Sequence, residues 1–224
     1  LNRIFGVFFN QNQSTVLRDR AVRFALDSAI NRTEMVRAVL GGYGTPLYGP
    51  VPPALLGGQA PAEGASTSAQ LAAAAQTKLV AAGWKLNSSG VLQKTTGTGK
   101  KASTVTLQFD LATANVPELR AAAEYLRQTW GAVGAQVNVK IYEQGDLSQN
   151  VIRARKYDAL LFGEVIGREL DLFAFWHSSQ RNDPGLNIAG YTNATADKAL
   201  EALRQTADTT KRTALINTFF AELQ

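Results

Sequence analysis

The chain has 224 residues, enough to bury a sizeable apolar core as one large domain or two small ones. Apolar residues make up 45% and charged residues 18%, and no apolar run reaches the roughly 18 residues that a membrane-spanning helix needs. The net charge of +5 comes from dispersed Lys and Arg without interleaved aromatics, which argues against nucleic acid, while zero Cys and one His exclude disulfides, thiolate zinc sites and multi-His metal sites.

Residues 3–10 read as a buried strand. Over 16–30, Val22, Ala25, Leu26, Ala29 and Ile30 fall at helical spacing and make one apolar stripe. Asn31 or Thr33 can cap a second short helix carrying Met35, Val36, Val39 and Leu40, with Gly41 as its stop. Twelve of the 24 residues from 41 to 64 are Gly or Pro, five of the chain's seven prolines among them. That segment is a long loop, either a functional excursion or a plain surface linker.

An Ala-rich helix follows over 68–83. Trp84–Asn87, a turn at 88–90 and Val91–Lys94 read as a small hairpin. The Gly/Thr/Lys-rich stretch 95–103 is expected to be mobile. Val105, Leu107, Phe109 and Leu111 then alternate with polar residues at strand period. Pro117 suits a first helical turn, and Leu119, Ala122, Ala123, Leu126 and Trp130 repeat at helical spacing up to Gly131 and Gly134. Val137, Val139 and Ile141 alternate as another strand. This strand–helix–strand unit implies parallel strands joined by a right-handed crossover, hence an α/β chain. A helix over 147–155 leads into a strand over 157–163. Two helices follow, one with Leu200 and Leu203, the other with Leu215, Ile216, Phe219 and Leu223. The chain starts on a strand and stops within an apolar helix, as an excised lobe would.

Several stretches, in this order, resemble the peptide/nickel-type extracellular solute-binding proteins of family 5, which feed ABC importers. They are Asp19-Arg20-Ala21-Val22-Arg23-Phe24-Ala25-Leu26, then Ile30-Asn31-Arg32, then the Gly/Pro loop from Gly41 to Pro53. Lys78-Leu79-Val80-Ala81-Ala82-Gly83-Trp84 with Gly90-Val91-Leu92 follows, then Arg155-Lys156-Tyr157-Asp158-Ala159. The last is Phe175-Trp176-His177-Ser178-Ser179 with Leu186-Asn187, Gly190-Tyr191-Thr192-Asn193 and Asp197. The resemblance implies a single α/β lobe, residues 1–224, of a two-lobe periplasmic-binding-protein-like fold, with a mixed sheet and flanking helices. The amino-terminal lobe, the final return strands and a lipidated or secreted amino terminus would lie outside this sequence. It further implies a monomeric lobe, outside the cytoplasmic membrane or in the periplasm, that closes on a peptide or similar solute and is presented to ABC transporter membrane subunits. A receptor-like module that senses a peptide or binds another protein on the same fold is the alternative. No cofactor is implied.

The family often carries G-W-x-x-D after its R-x-Y-D-A strand, and the Asp holds the peptide amino group. Here the run is Gly163-Glu164-Val165-Ile166-Gly167-Arg168, so Glu164 takes the Trp position, the Asp position is apolar or Gly, and Glu169 or Asp171 could compensate. Glu164 ends a core strand, where open α/β sheets place ligands, and could meet a ligand cation or make a surface ion pair.

Trp176 offers a stacking face or fills the core. His177 could bond a ligand through either nitrogen or cap a loop, with Ser178 beside it. Asn187 and Tyr191 could face a cleft, or Asn187 could shape a turn. Tyr48, with Tyr43, could reach the cleft from the Gly/Pro loop or shield the core. Asn10 would stand near the inter-lobe hinge. Phe175 is expected in the core, Asp19, Arg20 and Arg23 in ion pairs, and Asn193 or Thr195 as a helix cap. Catalysis has no support: there is no G-x-S-x-G elbow, and Gly97–Lys101 lacks the phosphate-loop pattern. Glu169 and Asp171 are the nearest to a carboxylate pair.

Overall fold

A computed structural model describes residues 3–50, 64, 66–165 and 171–223. Strand β1 (Arg3–Phe9) leads through a 3-10 turn at Val16–Arg18 into helix α1 (Arg20–Ser28). Asp19 starts α1 by accepting the Ala21 N–H at 2.9 Å. Val22, Ala25 and Leu26 then fall on one face and are all buried. Of the three residues expected in ion pairs, Asp19 meets Lys94 at 3.1 Å. Arg23 instead donates to the Leu17 and Arg18 carbonyls at 2.8 and 2.9 Å. Helix α2 (Arg32–Leu40) opens on Asn31, which accepts the Glu34 N–H at 2.9 Å, and closes on Gly41 at φ 58. Residues 51–63 of the Gly/Pro-rich stretch lie outside the described residues.

Helix α3 (Ser68–Ala81) begins with a capping box between Thr67 and Gln70. Strands β2 (Lys85–Leu86), β3 (Leu92–Thr96) and β4 (Ser103–Thr106) form an antiparallel sheet. The stretch 95–103 is therefore not loose: Thr96 pairs with Ser103, and the Thr95 and Thr104 hydroxyls meet at 2.8 Å. Gly97 makes the connection at φ 80, where a Cβ would lie 2.4 Å from the Lys101 carbonyl oxygen.

Strand β5 (Gln108–Ala114) follows β4 after a single residue, Leu107. The alternating run thus serves two sheets. Leu107 is the joint: its N–H donates to the Leu92 carbonyl at 2.7 Å, and its own carbonyl accepts the Gln136 N–H at 2.9 Å. Helix α4 (Pro117–Val133) starts on Pro117 and stops at Gly134, φ 103. Strand β6 (Gln136–Tyr142) comes next, then a helical turn α5 (Gln144–Asp146) and a π-helical stretch, Leu147–Ile152. This last segment, expected as one helix over 147–155, is wider than an α-helix and ends at Ile152, and Arg155 follows in the turn beyond it at φ 52. Strand β7 (Ala159–Val165) and helices α6 (Leu172–Trp176), α7 (Ala194–Gln205) and α8 (Thr209–Leu223) complete the described elements.

The main sheet runs β1-β7-β5-β6, with β5 parallel to β6 and β7, and β1 antiparallel to β7. It is mixed, as expected. Trp130 sits at the heart of its core: fully buried, near the rings of Phe9 (6.1 Å) and Phe109 (5.7 Å), with its indole N–H donating to the Leu26 carbonyl at 2.9 Å. A second, smaller cluster holds Leu172, Ala196, Leu200, Leu203 and Phe219, all from α6–α8. Phe175, expected in the core, is half-buried and belongs to neither cluster.

Candidate functional site

Five of the sequence-predicted residues converge on one polar knot between Trp176 and Tyr191. Asn187 is its centre, with no exposed surface. Its Nδ2 donates to the carbonyls of Trp176 (3.2 Å), His177 (3.1 Å) and Tyr191 (2.9 Å), and its Oδ1 accepts the Tyr191 N–H at 3.1 Å. A buried amide has few other ways to avoid the cost of an unmade bond. Trp176 stacks edge-on against Tyr191 at 6.0 Å and touches Phe219 at 5.9 Å. The Tyr191 hydroxyl donates to the Glu222 carbonyl at 3.2 Å. Burial, with the charges of Glu222 and Asp197 adding to it, pushes that hydroxyl up to about 12.

His177 is buried against Phe173, the rings stacked at 4.0 Å. Its Nδ1 accepts the Ser179 N–H at 3.2 Å, so the neutral ring carries its proton on Nε2, which faces Glu201 at 3.3 Å. Asp197 lies 3.9 Å from the same nitrogen and accepts the Ser178 N–H at 2.9 Å. On the other side of Phe173 the Arg204 guanidinium sits at 3.9 Å and pairs with Asp171. Asn193 caps α7, accepting from Thr195 and Ala196, so Thr195 is not the cap.

The other three predicted residues lie elsewhere. Asn10 is buried just past the end of β1. Its Nδ2 donates to the Arg155 carbonyl at 2.9 Å, and its Oδ1 accepts from Asn12 and Gln13. Tyr48 is partly exposed, its ring beneath the Arg32 guanidinium at 5.0 Å. Glu164 lies on β7 opposite Ile4, and its side chain is outside the described residues.

Strand direction separates these groups. The carboxyl ends of the parallel strands are Ala114, Tyr142 and Val165, one edge of the sheet. Asn115 and Glu143 stand there, joined by a 2.7 Å hydrogen bond from Nδ2 to Oε1. Glu164 is at that same edge. Phe9 instead pairs with Ala159, the first residue of β7, so Asn10 marks the opposite edge. The knot's loop is tied to that opposite edge as well. Arg155 donates to the Arg181 carbonyl (3.1 Å) and the Gly185 carbonyl (2.7 Å), and the Tyr157 hydroxyl donates to the Ile188 carbonyl. Burial holds the Tyr157 hydroxyl up at about 12, despite the opposing charge of Arg155.

Residue patterning missed Arg155, Asn115 and Glu143 as positioned side chains. The signal for Asn115 and Glu143 was present: each is the first or second polar residue after an apolar strand, next to a helix start. Among the described residues no group of three or more His, Asp or Glu is placed to hold a metal ion. No described helix is long and apolar enough to cross a membrane.

Residues 2–184 match the family model of the bacterial extracellular solute-binding proteins, family 5 Middle. Over 201 residues the chain is 33% identical to protein XP55 of Streptomyces lividans, covering 89% of this chain and 34% of that protein. Over 207 residues it is 30% identical to the oligopeptide-binding protein AppA of Bacillus subtilis (strain 168), covering 90% and 36%. The chain thus spans about a third of the length of these curated relatives. The solved structure of Bacillus subtilis AppA in complex with a nonapeptide superposes with a TM-score of 0.81 at 23% identity, over 99% of this chain and 42% of that one. NikZ from Campylobacter jejuni in complex with Ni(L-His) gives 0.73 at 24% identity, over 97% and 42%.

Proposed function

Because the chain belongs to the bacterial extracellular solute-binding proteins of family 5, and is part of an ABC-transporter substrate-binding protein of the peptide/nickel kind, we propose that the solute it helps to capture is a peptide. Proteins of this family bind solutes and are not enzymes. The observation that carries the peptide reading is the 30% identity to the oligopeptide-binding protein AppA over 90% of this chain.

In this reading the ligand faces the carboxyl edge of the main sheet, as open α/β sheets generally arrange it. Asn115 and Glu143 supply acceptors there for a ligand amino group, at the edge where β7 also brings residue Glu164. That would compensate for the lack of an Asp in the run after Gly163. Trp176, His177, Ser178, Asn187 and Tyr191 form the frame of the segment that follows β7. Asn10 belongs to the far edge, beside the crossover, and Tyr48 to the flank near α2. A partner lobe closes over the solute, and the closed form is offered to transporter membrane subunits from outside the cytoplasmic membrane.

Calorimetry on the full-length polypeptide tests this directly. A nonapeptide, nickel–histidine and an oligosaccharide would be titrated in parallel. Saturable heat with the peptide alone is expected. Saturation only by nickel–histidine or only by the sugar overturns the reading. The 224-residue chain by itself is expected to bind the same peptide far more weakly, since it supplies only part of the contacts. Micromolar binding by that chain alone would defeat the shared-cleft mechanism.

A further inference from the structure

The two apolar clusters share no residue. The larger one gathers the sheet, α1, α3 and α4, and the smaller one gathers α6–α8. What joins them, among the described residues, is a seam made mostly of hydrogen bonds to backbone. Arg155 reaches across to the carbonyls of Arg181 and Gly185, and Tyr157 to that of Ile188. Arg153 and Asp183 face each other at 3.8 Å. Ile188 is the apolar residue of the 177–191 loop that enters the larger cluster.

Arg155 is built for this task. It holds φ 52, a left-handed conformation that a residue with a Cβ adopts only when its surroundings enforce it. Its own carbonyl accepts from Asn10, and its Nη1 donates to the Ile152 carbonyl at 2.7 Å. The guanidinium is therefore fixed from its own side before it reaches the loop. Gly185 is equally constrained, since a Cβ there would meet the Gln180 carbonyl oxygen at 2.2 Å.

We infer that α6–α8 and the 177–191 loop form a unit that opens from the sheet body as one piece, with Arg155 and Tyr157 as its latch. An apolar interface resists opening because water must cover it. A seam of hydrogen bonds resists much less, because water replaces most of what is lost. Opening at the seam thus leaves the α6–α8 cluster intact and withdraws only Ile188 from the larger one, so it exposes little apolar surface.

Native-state hydrogen exchange of the protein, read by mass spectrometry over a series of urea concentrations below unfolding, tests the inference without any variant. Amides of α6, α7 and α8 should exchange as one set, with a smaller denaturant dependence than those of β5, β6 and α4. Arg155→Ala should speed exchange in the first set on the order of tenfold, for the loss of two seam bonds, and leave the second set unchanged. Arg155→Lys should lie between. A common denaturant dependence for both sets overturns the latch, and so does equal acceleration of both by Arg155→Ala.

Discussion

The sheet body and the helical unit formed by α6–α8 solve the same problem by different means. The body buries large side chains from many elements: Trp84, Phe109 and Trp130 from distant stretches of chain meet helix faces laid over a four-stranded sheet. The helical unit has few such residues. Phe219 is its largest fully buried side chain, and Trp176, Tyr191 and Phe173 are only half-covered around it. Directional contacts make up the difference: the amide of Asn187, the imidazole of His177 and the ion pair of Arg204 with Asp171. A small core therefore depends on a specific polar frame, where a large one can rely on volume.

The contrast can be broken at four places. Trp130→Ala removes the centre of the body and should cost about 4–5 kcal/mol, close to the stability of a whole domain. Chemical denaturation should show loss of the entire fold, and a partial transition would mean the two regions are more independent than their packing suggests. Phe219→Ala should cost about 3 kcal/mol, confined to the helical unit. Its signature is reduced helix content by circular dichroism with the body's tryptophan fluorescence retained.

Asn187→Ala strips four hydrogen bonds from one buried position and should cost about 2 kcal/mol. Asn187→Leu, similar in size, should be no better, because the Trp176 carbonyl and the Tyr191 N–H and carbonyl lose the amide, while the His177 carbonyl keeps the Gln180 N–H. A thermal shift equal to that of an exposed Asn→Ala control would refute the role given to the amide. The smallest effect belongs to Asp19. Burial pushes its carboxyl up, but the Lys94 hydrogen bond, the Ala21 N–H, the Lys94 charge and the Trp84 indole together hold it below the ordinary 3.8. Its contribution is thus present above pH 3.8 and is lost as the pH falls below that value. Asp19→Asn should cost about 1 kcal/mol at neutral pH and flatten this acid limb of a stability–pH curve.

The body was legible because its signals are periodic. Val105–Leu111 alternates, Leu119–Trp130 recurs at helical spacing, and Pro117 and Gly134 mark the ends. What misled was continuity: the alternation does not reveal that Leu107 hands the chain from one sheet to another. A π-helical stretch over Leu147–Ile152 has no period of its own to read. In the helical unit the sequence picked out Trp176, His177, Ser178, Asn187 and Tyr191 together, and the structure does join them. Their hydrogen bonds run inward, to backbone and to one another. Residue type alone cannot say which way a polar group points, since buried frames and open clefts call for the same Asn, His and Tyr. Arg155 was hidden for a related reason. Nothing in an Arg-Lys-Tyr-Asp run announces a positive φ.

The joint at Leu107 also sets how this chain can change length. A side chain on a strand alternates faces with each step, so parity matters more than count. Two residues added between Thr96 and Ser103 lengthen the small hairpin and leave Phe109 and Leu111 facing the core. One residue added at Leu107 turns both of them outward and brings Gln108 and Asp110 in. Drift in loop length is thereby absorbed on one side of that residue and rejected on the other.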